Sequence, residues 1–251
     1  MYKEWIPGPD GSGIPSINWG IGDGQLTVIL THGFGSSKES PTNRLVAAAL
    51  LKKGIGAWSF DLPAHGESPL DGSQLRLERC LGDMAAVEAH IHSLYPQSEL
   101  AYFSSSFGAY LNLLHLGMGG RAGRRSFLRC AAVNMCGILR RGITPALQTR
   151  LNRDGFVLLE DGYARPLKVT RAFLKDLDAH DVFRLYCPGT AQLAMIHGTA
   201  DMTAPLEEAC RFADLAGASL IRVEGADHRF LTPPGADRLV ADAAVAFFTA
   251  P

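Results

Sequence analysis

The chain has 251 residues, 47% of them hydrophobic, enough to bury a large core in one domain of the α/β type. Lys+Arg 24 against Asp+Glu 25 leaves a formal net charge of −1, so no global field draws the protein to nucleic acid or to an anionic membrane, and a small-molecule partner is the default. No 18-residue apolar run is present and MYKEWIPGPDG lacks a charged-then-apolar leader, which sets the expectation of a cytoplasmic protein without a spanning helix.

In chain order, residues 2–6 and 14–19 alternate around the turn-rich PGPDGSG and predict a hairpin at a sheet edge. Gly20 to Gly24 reads as a second turn. Leu26 to Thr31 is a β-branched and apolar run of the kind buried on both faces of a sheet, and it opens into His32-Gly33-Phe34-Gly35. Glycines there let the backbone turn sharply and present N–H groups at the strand end. Pro41 to Lys53 has helical spacing, Ile55 to Phe60 is a strand, and Asp61-Leu-Pro-Ala-His65-Gly66 is the loop it delivers. His32, Asp61 and His65 read as residues that orient loops rather than as catalytic groups. Leu75 to Leu94 is a helix that stops at Tyr95-Pro96.

Ala101 to Leu111, AYFSSSFGAYL, is an apolar run, a serine-rich turn and a helical run. A serine at such a tip stands above the sheet edge, facing the positive end of the following helix. The elbow pattern G-x-S-x-G needs small residues two before and two after the serine. Ser105 would put Phe103 and Phe107 there, and Ser104 would put Tyr102 and Ser106; only Ser106, flanked by Ser104 and Gly108, fits. Arg129 to Met135 then reads as a further strand.

From Gly137 to Cys187 the alternation of strand and helix lapses, apart from a helix-like Val169 to Leu177. The segment reads as a small cap insertion, which divides the chain into a core of residues 1–136 and 188–251 and a cap of 137–187. Phe156, Tyr163, Arg140 and Arg141 are its candidate substrate-binding residues. With Arg150 and Arg153 the arginines suit a carboxylate or phosphate, and equally a solvated face. The rhythm resumes with a strand from Gln192 or Leu193 to Ile196, the loop containing Asp201, helix Glu207 to Ala216, strand Ser219 to Val223, the loop containing His228, and helix Val240 to Phe248. The five cysteines, Cys80, Cys130, Cys136, Cys187 and Cys210, have no C-x-x-C spacing and read as buried free thiols.

Strands alternating with helices predict a mostly parallel sheet flanked by helices, with functional loops at the strand C-termini. HGFG, Ser106, Asp201 and His228 all fall just after strands, in the order Ser, Asp, His. HGFGSSKES, DLPAHGES, SSSFG, IHGTADMTAP and GADHRF together resemble the α/β-hydrolase superfamily over nearly the whole chain. The one departure is Ser104 in place of the first elbow glycine. The segment DGYARPLKVTRAFLKDL is more loosely similar to the cinnamoyl or feruloyl esterase branch, and acylaminoacyl-peptidase-like and short-chain carboxylesterase branches resemble the chain almost as well. The resemblance implies Ser106 as nucleophile, His228 as base, Asp201 as the acid orienting it, and the backbone N–H groups of Phe34 and Phe107 as oxyanion donors, with no cofactor and no metal. It implies a serine hydrolase cleaving small carboxylic esters. A peptidase or amidase on small acylated substrates and a catalytically silent binding member of the fold are the alternatives.

Overall fold

The computed structural model describes residues 1–20, 26–119, 125–160, 163 and 165–250. The expected turn at Gly20 to Gly24 lies, beyond Gly20, outside the described residues. In chain order the elements are β1 (Tyr2–Pro7), β2 (Gly13–Gly20), β3 (Thr27–Thr31), α1 (Pro41–Leu51), β4 (Gly56–Phe60), α2 (Leu77–Leu94), β5 (Leu100–Ser105), α3 (Phe107–Gly117) and β6 (Arg125–Arg129). There follow α4 (Met135–Gly142), α5 (Pro145–Asp154), β7 (Phe156–Leu159), β8 (Leu167–Thr170), α6 (Arg171–Ala179) and α7 (Val182–Leu185). The chain closes with β9 (Gln192–Gly198), α8 (Leu206–Ala216), β10 (Ser219–Val223) and α9 (Ala236–Thr249).

Eight strands form one sheet in the order β1-β2-β4-β3-β5-β6-β9-β10. The β1–β2 hairpin joins it antiparallel at one edge, and every pairing from β4 to β10 is parallel. Alternation along each strand divides the apolar residues between the faces. Val28, Leu30, Phe103, Phe127 and Ile196 meet α1 and α9 on one side. Ile29, Trp58, Tyr102, Leu128 and Met195 meet α2, α3 and α8 on the other. Chain order reverses beside β3, which lies between β4 and β5. In open parallel sheets the loops at such a switch point splay apart and leave a crevice. Here those loops are HGFG after β3 and the serine turn after β5.

Three expectations need correction. Arg129 to Met135 is not a strand: β6 runs from Arg125 to Arg129, Cys130 then turns left-handed with φ 44°, and the buried Ala131–Val133 wraps the serine turn, Ala132 N–H donating to Ser106 O at 3.2 Å. An apolar loop packed under its neighbours has the composition of a strand, and only its dihedral angles separate the two. The stretch from 137 to 187, where the alternation lapses, holds four helices and the separate β7–β8 hairpin. Its helix begins at Arg171 rather than Val169, because the Thr170 side chain caps it by accepting from Phe173 N. Finally, all five cysteines are free, but Cys80 and Cys130 alone are buried; Cys136 and Cys210 are half-buried and Cys187 is exposed. Among the described residues no helix is long and apolar enough to cross a membrane.

Candidate active site

Ser106 ends the apolar β5 and caps α3, with φ 51° and ψ −112°. This is a costly conformation for a residue with a side chain, held because its surroundings leave no other path. Its N–H donates to Arg129 O at 2.9 Å, and its carbonyl accepts from Tyr110 and Ala132. α3 can leave the strand so abruptly because of Gly108, where a Cβ would lie 2.5 Å from His32 O and 2.6 Å from Thr31 O. Ser104 is tolerated at the other small position: it is fully buried and its hydroxyl takes a hydrogen bond from Asn112 Nδ2 at 3.2 Å.

Asp201 and His228 come to Ser106 from the loops after β9 and β10. His228 Nε2 lies 3.0 Å from Ser106 Oγ, and its Nδ1 lies 2.7 Å from Asp201 Oδ2. The other oxygen of Asp201 accepts from the N–H groups of Thr203 and Ala204, both at 2.8 Å. Burial alone would raise the Asp201 carboxyl, but hydrogen bonds from His197 and His228, the charge on His228 and the Ala204 N–H outweigh it and hold the group well below the ordinary carboxylate range. An ionised Asp201 requires the His228 proton on Nδ1, which leaves Nε2 to accept from the serine hydroxyl. Asp227, although next to His228 in sequence, is turned away and accepts from Leu231 N and Thr232 N of its own loop.

The HGFG loop lies over the serine, and a Cβ at Gly33 would sit 3.2 Å from Ser106 Cβ. Phe107 opens α3, so its N–H has no partner within the helix, and among the described residues no hydrogen bond takes up the N–H of Phe34. The loop is fixed from below. His32 is buried, accepts from Leu62 N at 3.1 Å through Nε2 and donates from Nδ1 to Gly33 O at 2.8 Å. Asp61 receives Lys38 N and Lys38 Nζ, both at 2.7 Å, and Glu67 N at 2.9 Å. His65 is likewise buried, with its Nδ1 at 2.7 Å from Pro63 O. Burial keeps both histidines neutral, lowering His32 to about 4 and His65 to about 3.

The ring of Phe34 packs edge-on to Phe107 at 5.4 Å and to Tyr163 at 6.0 Å, and stacks on Phe173 at 6.2 Å. Tyr163 thus lies on the HGFG loop, filling the space a side chain at Gly35 would need. Arg165 ties the same segment down by donating to the carbonyls of Gly66, Ser68 and Leu70. Phe156 stands apart on the β7–β8 hairpin under Lys168, whose Nζ is 4.6 Å from its ring centre. Arg140 is exposed and bound by Asp178 and Cys136; Arg141 is exposed too, and Arg153 pairs with Asp154.

Two residues that sequence reasoning passed over touch this arrangement. His197 Nε2 donates to Ala204 O at 2.8 Å and lies 3.2 Å from Asp201 Oδ2, so a second imidazole holds the acid. Arg129, 7% exposed, donates from Nε to Ser105 Oγ at 3.2 Å and from Nη1 to His228 O at 2.6 Å, while its carbonyl holds Ser106 N–H. One residue therefore ties the serine turn to the histidine loop. Its only signal in the sequence is a cation at the end of an apolar strand. Cys130, His197 and Asp201 offer ligand atoms within 4.8 Å of one another. The cluster is arranged as donors around a carboxylate, with burial pushing the Cys130 thiol up to about 12.

Solved structures share this architecture. Est1E from Butyrivibrio proteoclasticus with ferulic acid bound is similar at a TM-score of 0.84 and 18% identity, over 98% of this chain and 97% of that one. A putative hydrolase from Agrobacterium vitis S4 gives 0.81 at 20% identity over 98% and 97%, and mouse alpha/beta hydrolase domain-containing protein 10 gives 0.79 at 15% over 99% and 98%. At such identities the likeness establishes the fold. No curated protein matches the chain in sequence. A family model described as serine aminopeptidase, S33, matches residues 23–149, just over half of the chain, and spans the HGFG loop and the serine turn. The chain belongs to that family of α/β-hydrolases.

Proposed function

We propose that the protein is a serine hydrolase of small carboxylic esters, with Ser106 as nucleophile, His228 as general base and Asp201 as the acid that orients it. The observation carrying this reading is the unbroken chain Ser106 Oγ, His228 Nε2, His228 Nδ1, Asp201 Oδ2, with steps of 3.0 and 2.7 Å on either side of the imidazole. In the proposed cycle the Ser106 proton passes to His228 Nε2 as Oγ attacks the ester carbonyl carbon. The carbonyl oxygen becomes an oxyanion, which takes the N–H groups of Phe34 and Phe107 and lies at the positive end of α3. The imidazolium, balanced by Asp201, returns the proton to the departing alkoxide, and alcohol leaves an acyl-enzyme. Water repeats the sequence and releases the carboxylic acid.

Residues 137–187 are proposed as the cap that sets specificity, with Tyr163 forming an aromatic wall beside the HGFG loop and the buried Phe173 backing it. The likeness to Est1E, whose structure holds ferulic acid, supports an aromatic acyl group. Phe156 packs under Lys168, Arg140 pairs with Asp178 and Arg141 is exposed, and in this proposal they serve the cap's own packing and surface. A second reading, cleavage of small acylated or aminoacyl amides, is favoured by the family description as serine aminopeptidases. The five free thiols suit a reducing compartment, and we place the enzyme in the cytoplasm. The test is a fluorophosphonate probe followed by turnover of p-nitrophenyl, feruloyl and aminoacyl substrates. Labelling of wild type and not of Ser106→Ala is expected, with esters turned over faster than amides; no labelling of the wild type would remove the assignment.

A further inference from the structure

We propose that a cavity behind the His228 loop binds a small organic carboxylate and acts on the Ser106–His228 pair through Arg129. The cavity has a volume of about 420 Å³ and is lined by the first turns of α1 and α9, the end of β6 and the residues after His228. Arg129 forms part of its wall. This arginine is buried, yet among the described residues no carboxylate lies within ion-pair distance of it. A buried charge without a counter-ion is unfavourable. The Ser105 hydroxyl, the His228 carbonyl and the Phe230 ring, 5.7 Å from the guanidinium carbon, offset part of this. Nε and Nη1 are engaged, Nη2 makes no hydrogen bond among the described residues, and the side chain belongs to the cavity lining. A guanidinium edge in that state calls for an anion.

The rest of the lining narrows the class. Among the lining residues Arg44 is already held by Glu39 at 3.2 Å and the acid Asp237 accepts from Arg238 N, so the cation that faces an incoming anion is Arg129. Pro41, Leu45, Phe230, Leu231 and Val240 supply apolar walls. Inorganic phosphate would leave those walls unmatched, whereas a carboxylate with a hydrocarbon body meets both the cation and the walls, and the volume falls in the range of small-molecule sites. Arg129 also carries the His228 carbonyl and the Ser106 N–H, so an occupant that fixes its guanidinium fixes the base against the nucleophile. That coupling rests on the proposed role of Ser106; the binding does not.

Hexanoate is the probe, with hexanol and inorganic phosphate as controls, titrated into the full chain by calorimetry. Saturable hexanoate binding with a Kd below about 1 mM is expected, with hexanol and phosphate at least tenfold weaker. Arg129→Gln should weaken it tenfold or more. Should that variant fail to fold, Leu45→Trp, which fills the cavity from its half-buried α1 wall, must weaken it equally. At saturation, hexanoate should raise the rate of fluorophosphonate labelling at Ser106 severalfold. Absence of binding to the wild type, or binding that survives both substitutions, overturns the site, and an unchanged labelling rate overturns the coupling. Wild type that binds hexanoate but is never labelled supports the site and removes the reading of Ser106 instead.

Discussion

Taking the hydroxyl from Ser106 should lower kcat by ~10⁴ to 10⁶ with the fold intact, because the base then has no proton to accept. Ser105→Ala should keep most activity, since Ser105 Oγ accepts from Arg129 and not from His228. The opposite ranking would move the nucleophile. Asp201→Asn should lose most of kcat while Asp227→Asn loses little, because Asp227 is occupied by its own loop. His197→Gln belongs beside them: weakening a donor on Asp201 should lower kcat with KM unchanged, and a change confined to KM would deny it that role. Lys38 makes a different kind of test. It is 2% exposed and paired with Asp61, so Lys38→Met leaves a buried carboxylate without its cation and should cost about 3–5 kcal/mol in urea unfolding. A loss below 1 kcal/mol would mean that water reaches Asp61. Ser106, Asp201 and His228 could be picked out because each sits in a loop at a strand end, in the order Ser, Asp, His, with small residues flanking Ser106 alone among the neighbouring serines. Arg129, His197 and Lys38 could not, because their importance lies in partners as far as 99 residues away.

The elements divide by the same logic. α3 is buried on all sides from Phe107 to Leu116, and its sequence reads as helix because its apolar residues recur with a helical period, Asn112 and His115 aside. The loop after β6 misled for the same reason in reverse, its buried alanines and valine resembling a strand. In the 137–187 segment short amphipathic helices and a four-residue hairpin pair blur each other's periods, so only the helix near Val169 to Leu177 was legible there. The aromatic wall is tested at this scale. Phe173 is fully buried and Phe173→Ala should cost about 3–5 kcal/mol, depressing all activities together. Tyr163 is half-buried against Phe34, so Tyr163→Ala should instead raise KM for aromatic esters severalfold and leave acetyl esters near wild type. Equal losses on both substrates would make Tyr163 a core residue.

For the molecule as a whole, pH reports on what is buried. His32 and His65, with folded values of about 4 and about 3, stay neutral where an unfolded histidine, near ~6.5, takes a proton. Below pH ~6.5 the unfolded chain therefore binds more protons at these sites, and stability falls as pH falls. Asp83 opposes them: burial lifts it to about 7, so between ~4 and ~7 the folded chain holds a proton that the unfolded chain releases. Two against one leaves a net of about one proton, or ~1.4 kcal/mol per pH unit, lost on going from pH 6 to pH 5. Asp83→Asn should roughly double that slope, and a stability flat across this interval would refute the burial of the two histidines. The sheet and its connections were legible from alternation and loop composition, whereas the titration of the interior was not, since it depends on what surrounds each group.

The strand order also sets a timetable for synthesis. From β5 the sheet grows outward through β6 and β9 to β10, each strand laid beside its predecessor, and α9 then packs against α1. A ribosome delivers Ser106, the proposed nucleophile, 122 residues before His228, its proposed base. Until the loop after β10 emerges, the nascent polypeptide holds Ser106 without the imidazole proposed to activate it. Stalled chains ending before residue 228 should be inert toward fluorophosphonate and full-length chains reactive, so the cell is spared a hydrolase that works while half made.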